Sequence, residues 1–410
     1  MRRVVATGIG AVTCAGNSWQ ESWKKLVAGQ SGIGRITLFD PAGLPDTAGE
    51  VRKLELENLT PKEDRRMSRN VRFAVAAADE AMTQAGLNGV REEDPFRFGA
   101  LISNGAGGVD EYEKQLKNLE RRGSGGVSAF FVPKFMVNGA SGTLAVRYGL
   151  RGPNFSPTSA CASSSHAIGE AMWMIRRGDA DLMLAGGTEA CLTPLIMSGF
   201  HSLTALSCNP VPEKACRPFD LNRDGFVLSE GAGVLVLEEL EHARKRGADI
   251  LAELCGYGAT CDVRHITAPD LTGSGVAAAM QRALETAQCP SDEVGCISAH
   301  GTGTKANDVC EAKAIQKIFG RRTSEIKVSA IKSMIGHALS ASGAISAAAA
   351  VQTLKTGIIP PTINYETPDP ECPLDVTPNH AVEIPVGAVM TNSLGFGGHN
   401  AALIFRRWKG

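Results

Sequence analysis

The chain has 410 residues, of which 43% are hydrophobic and 21% charged, and its formal net charge at pH 7 is −1. This length allows two domains or one large duplicated core. The near-zero charge gives no overall attraction to nucleic acid or to an anionic membrane surface, so we expect neither as a partner. No apolar run approaches the roughly 18 residues that a membrane-spanning helix needs.

The eleven cysteines form neither a CxxC pair nor another metal-ligand spacing, so no metal site is expected. The chain runs from Met1 into the apolar segment 4–6, which does not fit a secretory signal peptide. We therefore expect reduced thiols and a cytoplasmic location.

Short apolar runs alternate with amphipathic segments along the first half of the chain. Taken in order, they predict a strand at 3–13, helices at 19–28 and 61–86, a strand at 98–103, an exposed helix at 109–122 and a strand at 182–186. A glycine cluster at 104–108 lacks the phosphate-loop patterns and is not expected to bind phosphate. An aromatic patch follows at 130–133. Segment 192–214 is expected to be irregular, and a glycine-rich strand pair is expected at 231–238.

The stretch that organises the chain is 154–178, NFSPTSACASSSHAIGEAMWMIRRG. It begins extended, turns at 157–159 and continues as a helix of small residues, which other backbones can approach from every side. Cys161 stands at the start of this helix, where free N–H groups and the helix dipole favour negative charge. The pattern predicts a nucleophilic elbow whose thiol has a lowered pKa. A structural buried cysteine is the alternative.

Segment 328–357 repeats this pattern in the second half: a strand, a turn, a small-residue helix, and a cationic residue before glycine. Two similar halves, each with a buried central helix, predict a layered α/β/α/β/α fold. We place the boundary at residue 250, which gives halves of 1–250 and 251–410.

The second half also carries three polar side chains that suggest a site. His300 ends a predicted buried strand, and Lys332 and His337 lie in an apolar, small-residue stretch. Buried lysine is rare unless it is paired, and Glu311 is the expected partner. Taken alone, His300 could equally be an exposed histidine in a helix-capping loop.

Four motifs, TSACASSSH, AHGTGTKANDVCE, IKSMIGHALSASGA and NSLGFGGHN, resemble those of the β-ketoacyl-acyl-carrier-protein synthases, most closely the elongating synthase II type. The resemblance covers essentially the whole chain. It implies the thiolase fold, acyl carrier protein as a partner, a homodimer, and no cofactor beyond the phosphopantetheine that carries the substrates. The aromatic patch at 130–133 is a candidate for the dimer interface.

The resemblance also implies catalytic roles. Cys161 would take the acyl chain from a carrier-protein thioester. His300 and His337 would donate hydrogen bonds to the malonyl thioester carbonyl as negative charge develops during decarboxylation. Lys332, supported by Glu311, would keep the local charge balance. Two neutral imidazole donors stabilise an enolate without protonating the carbanion early.

Further residues are implied to bind substrate. The backbone N–H groups of Cys161 and Phe396 would form an oxyanion hole, and Phe396 would gate the site. Thr302 and Thr304 would hold the pantetheine arm. Ala106 and Phe200 would line the acyl pocket, where alanine replaces a branched residue and should deepen the pocket.

The carrier protein would dock on a basic cluster formed by Lys62, Arg65, Arg66 and Arg69. The chain departs from the family pattern at a few positions near the site: Thr204, Ser229, Ile335 and His399. The departures at Ala106, Thr204 and His399 leave open a specialised polyketide or polyene pathway with the same chemistry. A non-catalytic chain-length partner is disfavoured by the intact Cys-His-His set. A coenzyme A-dependent thiolase is disfavoured because no cysteine follows Cys372.

Overall fold

The computed structural model describes residues 1–56, 59–87 and 94–410. The strands in these ranges are β1 (Val4–Val12), β2 (Gly34–Arg35), β3 (Thr47–Ala48), β4 (Phe98–Ser103), β5 (Asn154–Phe155), β6 (Leu182–Glu189), β7 (Gly231–Glu239), β8 (Ala252–Cys261), β9 (Val294–Ser298), β10 (Lys327–Ser329), β11 (Ile358–Ile359), β12 (Val382–Glu383), β13 (Ala388–Gly395) and β14 (His399–Arg407).

The helices in the same ranges are α1 (Trp19–Val27), α2 (Pro61–Asp64), α3 (Arg69–Gln84), α4 (Val109–Arg122), α5 (Phe131–Phe135), α6 (Gly139–Tyr148), α7 (Ser163–Arg177), α8 (Pro194–Ser202), α9 (Pro212–Ala215), α10 (Leu240–Lys245), α11 (Ser274–Ala287), α12 (Lys305–Phe319), α13 (Lys332–Ile335) and α14 (Ser342–Thr356). None of the helices in the described part of the chain is both long and apolar enough to cross a bilayer.

Ten strands form one continuous sheet in the order β10-β9-β13-β14-β8-β1-β7-β6-β4-β5. From the outer edge to the centre, the first half has the order β5-β4-β6-β7-β1 and the second half has the order β10-β9-β13-β14-β8. When the five strands of each half are numbered 1 to 5 along the chain, both orders become 3-2-4-5-1. In each half the two outer pairings are parallel and the two inner pairings antiparallel. The internal repeat predicted from the sequence is therefore confirmed as a repeat of topology.

Within the sheet, the two halves are joined between β1 and β8 by two antiparallel residue pairs, Val5 with Glu253 and Ala6 with Ala252. The chain crosses from one half to the other between the end of β7 at Glu239 and the start of β8. The predicted boundary at residue 250 falls within this connection and stays a prediction.

The middle layer consists of α7 and α14, each of which contacts strands of both halves. Their small residues allow a very close crossing: a Cβ added at Gly343 would lie 2.3 Å from Ser165 Oγ. α3 covers the outer face of the first half, and α11 covers that of the second. The result is the five-layered α/β/α/β/α arrangement of the thiolase fold, as predicted.

The prediction of one helix over 61–86 is wrong at its start. Thr60 and Glu63 form a capping box at the beginning of the short helix α2. Ser68 then adopts an extended conformation, and α3 begins only at Arg69. A second helix start therefore interrupts a segment whose composition alone favours continuous helix.

Two other predictions need correction. Segment 192–214 is not irregular throughout, since it contains α8 and α9. Thr193 caps α8, because its side chain accepts a hydrogen bond from the backbone N–H of Ile196. The glycine-rich segment at 231–238 lies in a single strand, β7, that pairs with β1 on one side and β6 on the other.

Candidate active site

One cavity of about 920 Å³ collects most of the predicted site residues. Its wall holds Ala106, Cys161, Phe200, His300, Thr302, Thr304, His337 and Phe396. Lys332 and Glu311 are buried behind this wall. Residues from both halves of the chain thus converge on one space. Within the described ranges, no cluster of three or more His, Cys, Asp or Glu side chains could hold a metal ion.

Cys161 stands on a sharp turn two residues before α7. The preceding residue, Ala160, has a φ of 50°, a left-handed conformation that is costly for a residue with a side chain. Ser163 holds the turn: its Oγ accepts from the N–H of Ser159 at 2.8 Å and donates to the carbonyl of Ala160 at 2.6 Å. This is the strained elbow that the sequence predicts.

The predicted lowering of the Cys161 pKa is wrong. Burial raises the pKa of this thiol to about 12, although the charge of Lys332 and the backbone N–H of Phe396 both lower it. The loss of hydration outweighs these effects, and α7 begins only at Ser163. The resting nucleophile is therefore a thiol, which must lose its proton during acyl transfer.

The end of β13 approaches the elbow closely. A Cβ on Gly395 would lie 2.7 Å from the carbonyl oxygen of Ser159 and 3.2 Å from the backbone nitrogen of Cys161, so only glycine fits. This approach brings the backbone N–H of Phe396 to the thiol of Cys161. Two backbone donors, from Cys161 and Phe396, therefore lie beside the reacting sulfur. The Phe396 ring packs 6.4 Å from that of Phe200, centroid to centroid.

The two histidines lie edge to face, with ring centroids 5.2 Å apart and planes at 86°. Burial lowers the pKa of both rings well below the usual value, and the charge of Lys332 adds to the effect. Both imidazoles are therefore neutral at pH 7. A neutral imidazole offers one N–H donor, as an enolate-stabilising role requires.

Lys332 and Glu311 both hold the loop that carries His300. Lys332 Nζ donates to the His300 carbonyl at 2.6 Å, and the Glu311 carboxylate accepts from the backbone N–H groups of His300 and Gly301 at 2.8 Å each. Among the described residues no hydrogen bond or ion pair joins Lys332 to Glu311, but Glu311 supplies the charge that most strongly favours protonated Lys332, so the predicted partnership is electrostatic and not a direct contact. Burial lowers the pKa of Lys332 to about 8, against the opposing charge of Glu311.

The predicted pantetheine residues lie on the next turn of the same loop. The Oγ1 atoms of Thr302 and Thr304 are 3.0 Å apart. Asp308, a residue given no role by the sequence, fixes this loop by accepting from the N–H groups of Thr302 at 3.1 Å and Gly303 at 3.3 Å. The sequence feature that could have indicated Asp308 is an acidic residue in the first turn of a helix that follows a glycine-containing loop.

Glu189 is a second residue that sequence reasoning missed. Glu189, at the end of β6, lines the cavity and accepts from the backbone N–H groups of Gly105 at 3.1 Å and Ala106 at 3.2 Å. Burial raises the pKa of this carboxyl. A glutamate that ends a buried strand is the feature of the sequence that could have indicated it.

The predicted docking cluster is smaller than expected. Lys62, Arg65 and Arg66 are exposed. Arg69 is not available, because its guanidinium bonds the buried carboxylate of Glu230 and lies 5.0 Å from the Phe73 ring. Including Arg69 in a docking surface is therefore wrong.

Two of the residues that depart from the family pattern lie next to the predicted gate or on the cavity wall. His399 pairs with Gly395 across the hairpin of β13 and β14, and its Nε2 would lie 2.8 Å from a Cβ on Gly397. Thr204 is exposed and lines the cavity in a left-handed conformation with φ of 53°.

Comparison with known proteins agrees with this geometry. Residues 1–243 match the β-ketoacyl synthase N-terminal domain, and residues 251–366 match the C-terminal domain of the same family. The 3-oxoacyl-(acyl-carrier-protein) synthase 2 of Staphylococcus aureus (strain COL) is 44% identical over 410 residues, covering 100% of this chain and 99% of its own. The protein of the same name from Synechocystis is 44% identical over 414 residues, covering 100% and 99%.

Solved structures show the same architecture. A β-ketoacyl synthase from Burkholderia phymatum superposes with a TM-score of 0.91 at 35% identity, over 100% of both chains. A type II polyketide ketosynthase, solved with its acyl-carrier protein and bound to a hexaketide, gives a TM-score of 0.92 at 34% identity, over 99% of this chain and 100% of its own. Since the matched domains and the full-length relatives together cover the chain, it belongs to the β-ketoacyl synthase family.

Proposed function

We propose that this protein catalyses the decarboxylative condensation of an acyl chain, held as a thioester on Cys161, with malonyl-acyl-carrier protein. The product is a 3-ketoacyl-acyl-carrier protein, as needed in fatty acid elongation. The observation that carries the proposal is the convergence of Cys161, two neutral histidines and two backbone donors on one cavity. The full-length relatives named 3-oxoacyl-(acyl-carrier-protein) synthase 2 support it.

The first half-reaction is acyl transfer. Cys161 Sγ forms a bond to the carbonyl carbon of the acyl thioester, and the thiol proton leaves the sulfur. The backbone N–H groups of Cys161 and Phe396 stabilise the oxyanion that forms. The bond to the carrier's pantetheine sulfur then breaks, and the carrier leaves as a free thiol.

The second half-reaction is decarboxylation and condensation. His300 and His337 donate to the thioester carbonyl of the malonyl group, so that loss of CO₂ leaves a stabilised enolate. The enolate carbon attacks the acyl carbonyl on Cys161, and the Cys161 sulfur leaves and regains a proton. Lys332 fixes His300 through its carbonyl, and its positive charge acts on Cys161, His300 and His337.

Substrates arrive on acyl carrier protein, whose phosphopantetheine we propose is the only prosthetic group involved. Thr302 and Thr304 bind the pantetheine arm. Lys62, Arg65 and Arg66 form a basic, exposed patch that complements an acidic carrier surface. The solved ketosynthase complex with an acyl-carrier protein supports this mode of delivery.

We also propose a homodimer in the cytoplasm. Strand β5 lies at the edge of the ten-stranded sheet, and apolar side chains around it and α5 are exposed, among them Phe130, Val132 and Phe155. An unpaired edge beside an apolar patch favours association. The free state of the cysteines agrees with a reducing compartment. Sedimentation should give about twice the 43.1 kDa chain mass; a stable monomer at micromolar concentration would contradict the dimer.

The test is reconstitution from purified parts. The protein is mixed with an acyl-carrier protein bearing a saturated acyl group and with malonyl-acyl-carrier protein, and mass spectrometry follows both the acyl group on Cys161 and the 3-ketoacyl product. Formation of both species supports the proposal. Acylation of Cys161 without any condensed product would overturn it.

A specialised polyketide or polyene pathway is the second candidate, with the same chemistry. It is favoured by Ala106, which leaves a methyl group where the family often has a larger side chain. The similar ketosynthase that holds a hexaketide also favours it. Mass spectrometry of the acyl group trapped on Cys161 in the native host distinguishes the two: a saturated chain indicates fatty acid elongation, and a polyketide or polyene chain the alternative.

A further inference from the structure

The side chain of Ser342 bonds directly to one of the two active-site histidines. Its Oγ lies 2.8 Å from Nδ1 of His337, and both residues are buried. Ser342 is the first residue of α14, five positions after His337. Leu339 between them has a φ of 43°, which folds the chain back so that the hydroxyl reaches the ring. This strained loop is the counterpart of the Cys161 elbow in the other half.

The His337 ring is held on several sides. The backbone N–H of His337 donates to the Val227 carbonyl at 2.8 Å, and the Phe226 ring packs edge to face at 5.3 Å. With Nδ1 facing Ser342, Nε2 is the ring nitrogen left for a ligand in the cavity. The proposed reaction needs this atom to carry the proton.

The direction of the Ser342 bond follows from the cost of burying an unpaired donor. Within the described ranges, His337 is the only hydrogen-bond partner of the Ser342 side chain. If Nδ1 carried the proton, the serine hydroxyl hydrogen would be buried without an acceptor. If the hydroxyl donates to Nδ1, only lone pairs stay unused, and an unused lone pair costs less than an unused donor.

We propose that Ser342 is a positioning residue that donates its hydroxyl hydrogen to Nδ1 of His337 and thereby keeps the imidazole proton on Nε2. The hydroxyl then fixes both the tautomer and the orientation of the ring toward the malonyl carbonyl. His300 lacks such support, because its Nδ1 is buried without a hydrogen-bond partner among the residues that the structure describes. The two donors are therefore supported unequally.

This inference rests on the proposed function for its consequence, but the tautomer can be measured without substrate. Nitrogen-15 NMR of the intact protein with labelled histidine reports which ring nitrogen carries the proton, and the His337→Ala spectrum identifies the signals. We expect an unprotonated Nδ1 and a protonated Nε2 in the native protein, and a mixture of tautomers in Ser342→Ala. A protonated Nδ1 in the native protein would overturn the proposal, whatever the activity.

Kinetics supply the second readout. Ser342→Ala should lower malonyl-acyl-carrier-protein decarboxylation about tenfold and leave acylation of Cys161 within about twofold, the effect of losing one hydrogen bond. Ser342→Thr, which keeps the hydroxyl, should recover most of the rate. The matched control is Ser346→Ala, which removes a buried hydroxyl one turn farther along the same helix. An equal loss in Ser346→Ala, or equal losses in both half-reactions of Ser342→Ala, would reduce Ser342 to a structural role.

Discussion

The two central helices, α7 and α14, occupy equivalent places in the two halves and have the same length of 15 residues. Each ends at a glycine in the left-handed conformation, Gly178 and Gly357. Their beginnings differ: Cys161 precedes α7 and His337 precedes α14. The repeated topology thus places the starts of two equivalent helices at one cavity. In the proposed function one start carries acyl transfer and the other carries decarboxylation.

The two starts share a physical device. A non-glycine residue in a left-handed conformation lies just before each helix, Ala160 in one half and Leu339 in the other. Such conformations cost energy and persist only where the surrounding structure enforces them. In both cases the strained loop turns a reactive side chain into the cavity. The two halves therefore share the strained loop that places a side chain in the cavity. They differ in the side chain itself, which is a thiol in one half and an imidazole in the other.

The largest expected effect comes from removing the reactive atom at the first helix start. Cys161→Ala should abolish acyl transfer and condensation, because the proposed reaction holds the acyl chain on the Cys161 sulfur. Cys161→Gln should retain malonyl decarboxylation, since a neutral amide resembles the acylated state. Carbon dioxide release and product formation are measured separately. Normal condensation by Cys161→Ala would end the division of labour between the two helix starts.

Removing one of the two histidine donors should impair decarboxylation and spare acyl transfer, the reverse of the effect of Cys161→Gln. His337→Ala and His300→Ala should each lower decarboxylation about a hundred- to a thousandfold, the usual cost of losing one strong donor to a developing oxyanion. Acylation of Cys161 from a labelled acyl-carrier protein should survive in both variants. If acylation disappeared along with decarboxylation, the two half-reactions would not be separable as the comparison requires.

Sequence reasoning succeeded where local pattern decides the structure. The alternation of apolar runs located β1, β4 and β6, and small residues located α7 and α14 in the middle layer. The internal repeat followed because both halves carry the same order of local signals. The elbow at Cys161 was likewise visible, since its turn and helix are contiguous in the chain.

The sequence failed where the outcome depends on distant partners. Arg69 belongs to a basic run, yet its guanidinium bonds Glu230, 161 positions away. Lys332 bonds the His300 carbonyl, a contact that no spacing indicates. The pKa of Cys161 depends on how deeply the whole fold buries it, and a helix start gives no measure of that. Asp308, Glu189 and Ser342 were missed for the same reason.

A moderate effect should come from Ala106, a residue of the first half that lines the cavity and is proposed to bound the acyl chain. Ala106→Ile fills the space of about three carbon groups in the cavity. At about 0.8 kcal/mol per buried CH₂, a long acyl chain would lose up to roughly 2 kcal/mol of burial, a factor of about thirty. kcat/KM should therefore move toward shorter acyl chains in competition assays with carrier substrates of graded length.

The matched measurement is malonyl decarboxylation, which depends on the second half and should not change in Ala106→Ile. An unchanged chain-length profile would show that Ala106 does not bound the acyl chain. A parallel loss of decarboxylation would show that the two sides of the cavity are coupled.

The smallest expected effect concerns Lys332, whose positive charge acts on both Cys161 and His337. Positive Lys332 lowers the pKa of Cys161, although burial still raises that pKa to about 12. Burial lowers the pKa of Lys332 itself to about 8, so the lysine loses its charge as pH rises through this value. Alkylation by iodoacetamide measures the thiolate. The native rate should rise about tenfold per pH unit below pH 7, less steeply between about pH 7 and 9, and reach no plateau below pH 10.

Lys332→Met removes the charge and keeps most of the side-chain volume, so its alkylation rate should rise evenly with pH. At pH 7 the variant should react more slowly than the native protein, by less than about tenfold, because its thiol pKa is higher. Above about pH 9 the two rates should converge, since Lys332 is then neutral in the native protein as well. A constant ratio of the two rates from pH 6 to 10 would show that the lysine does not titrate in this range. Equal rates at pH 7 would show that its charge does not reach the thiol, and the two helix starts would then be electrostatically independent.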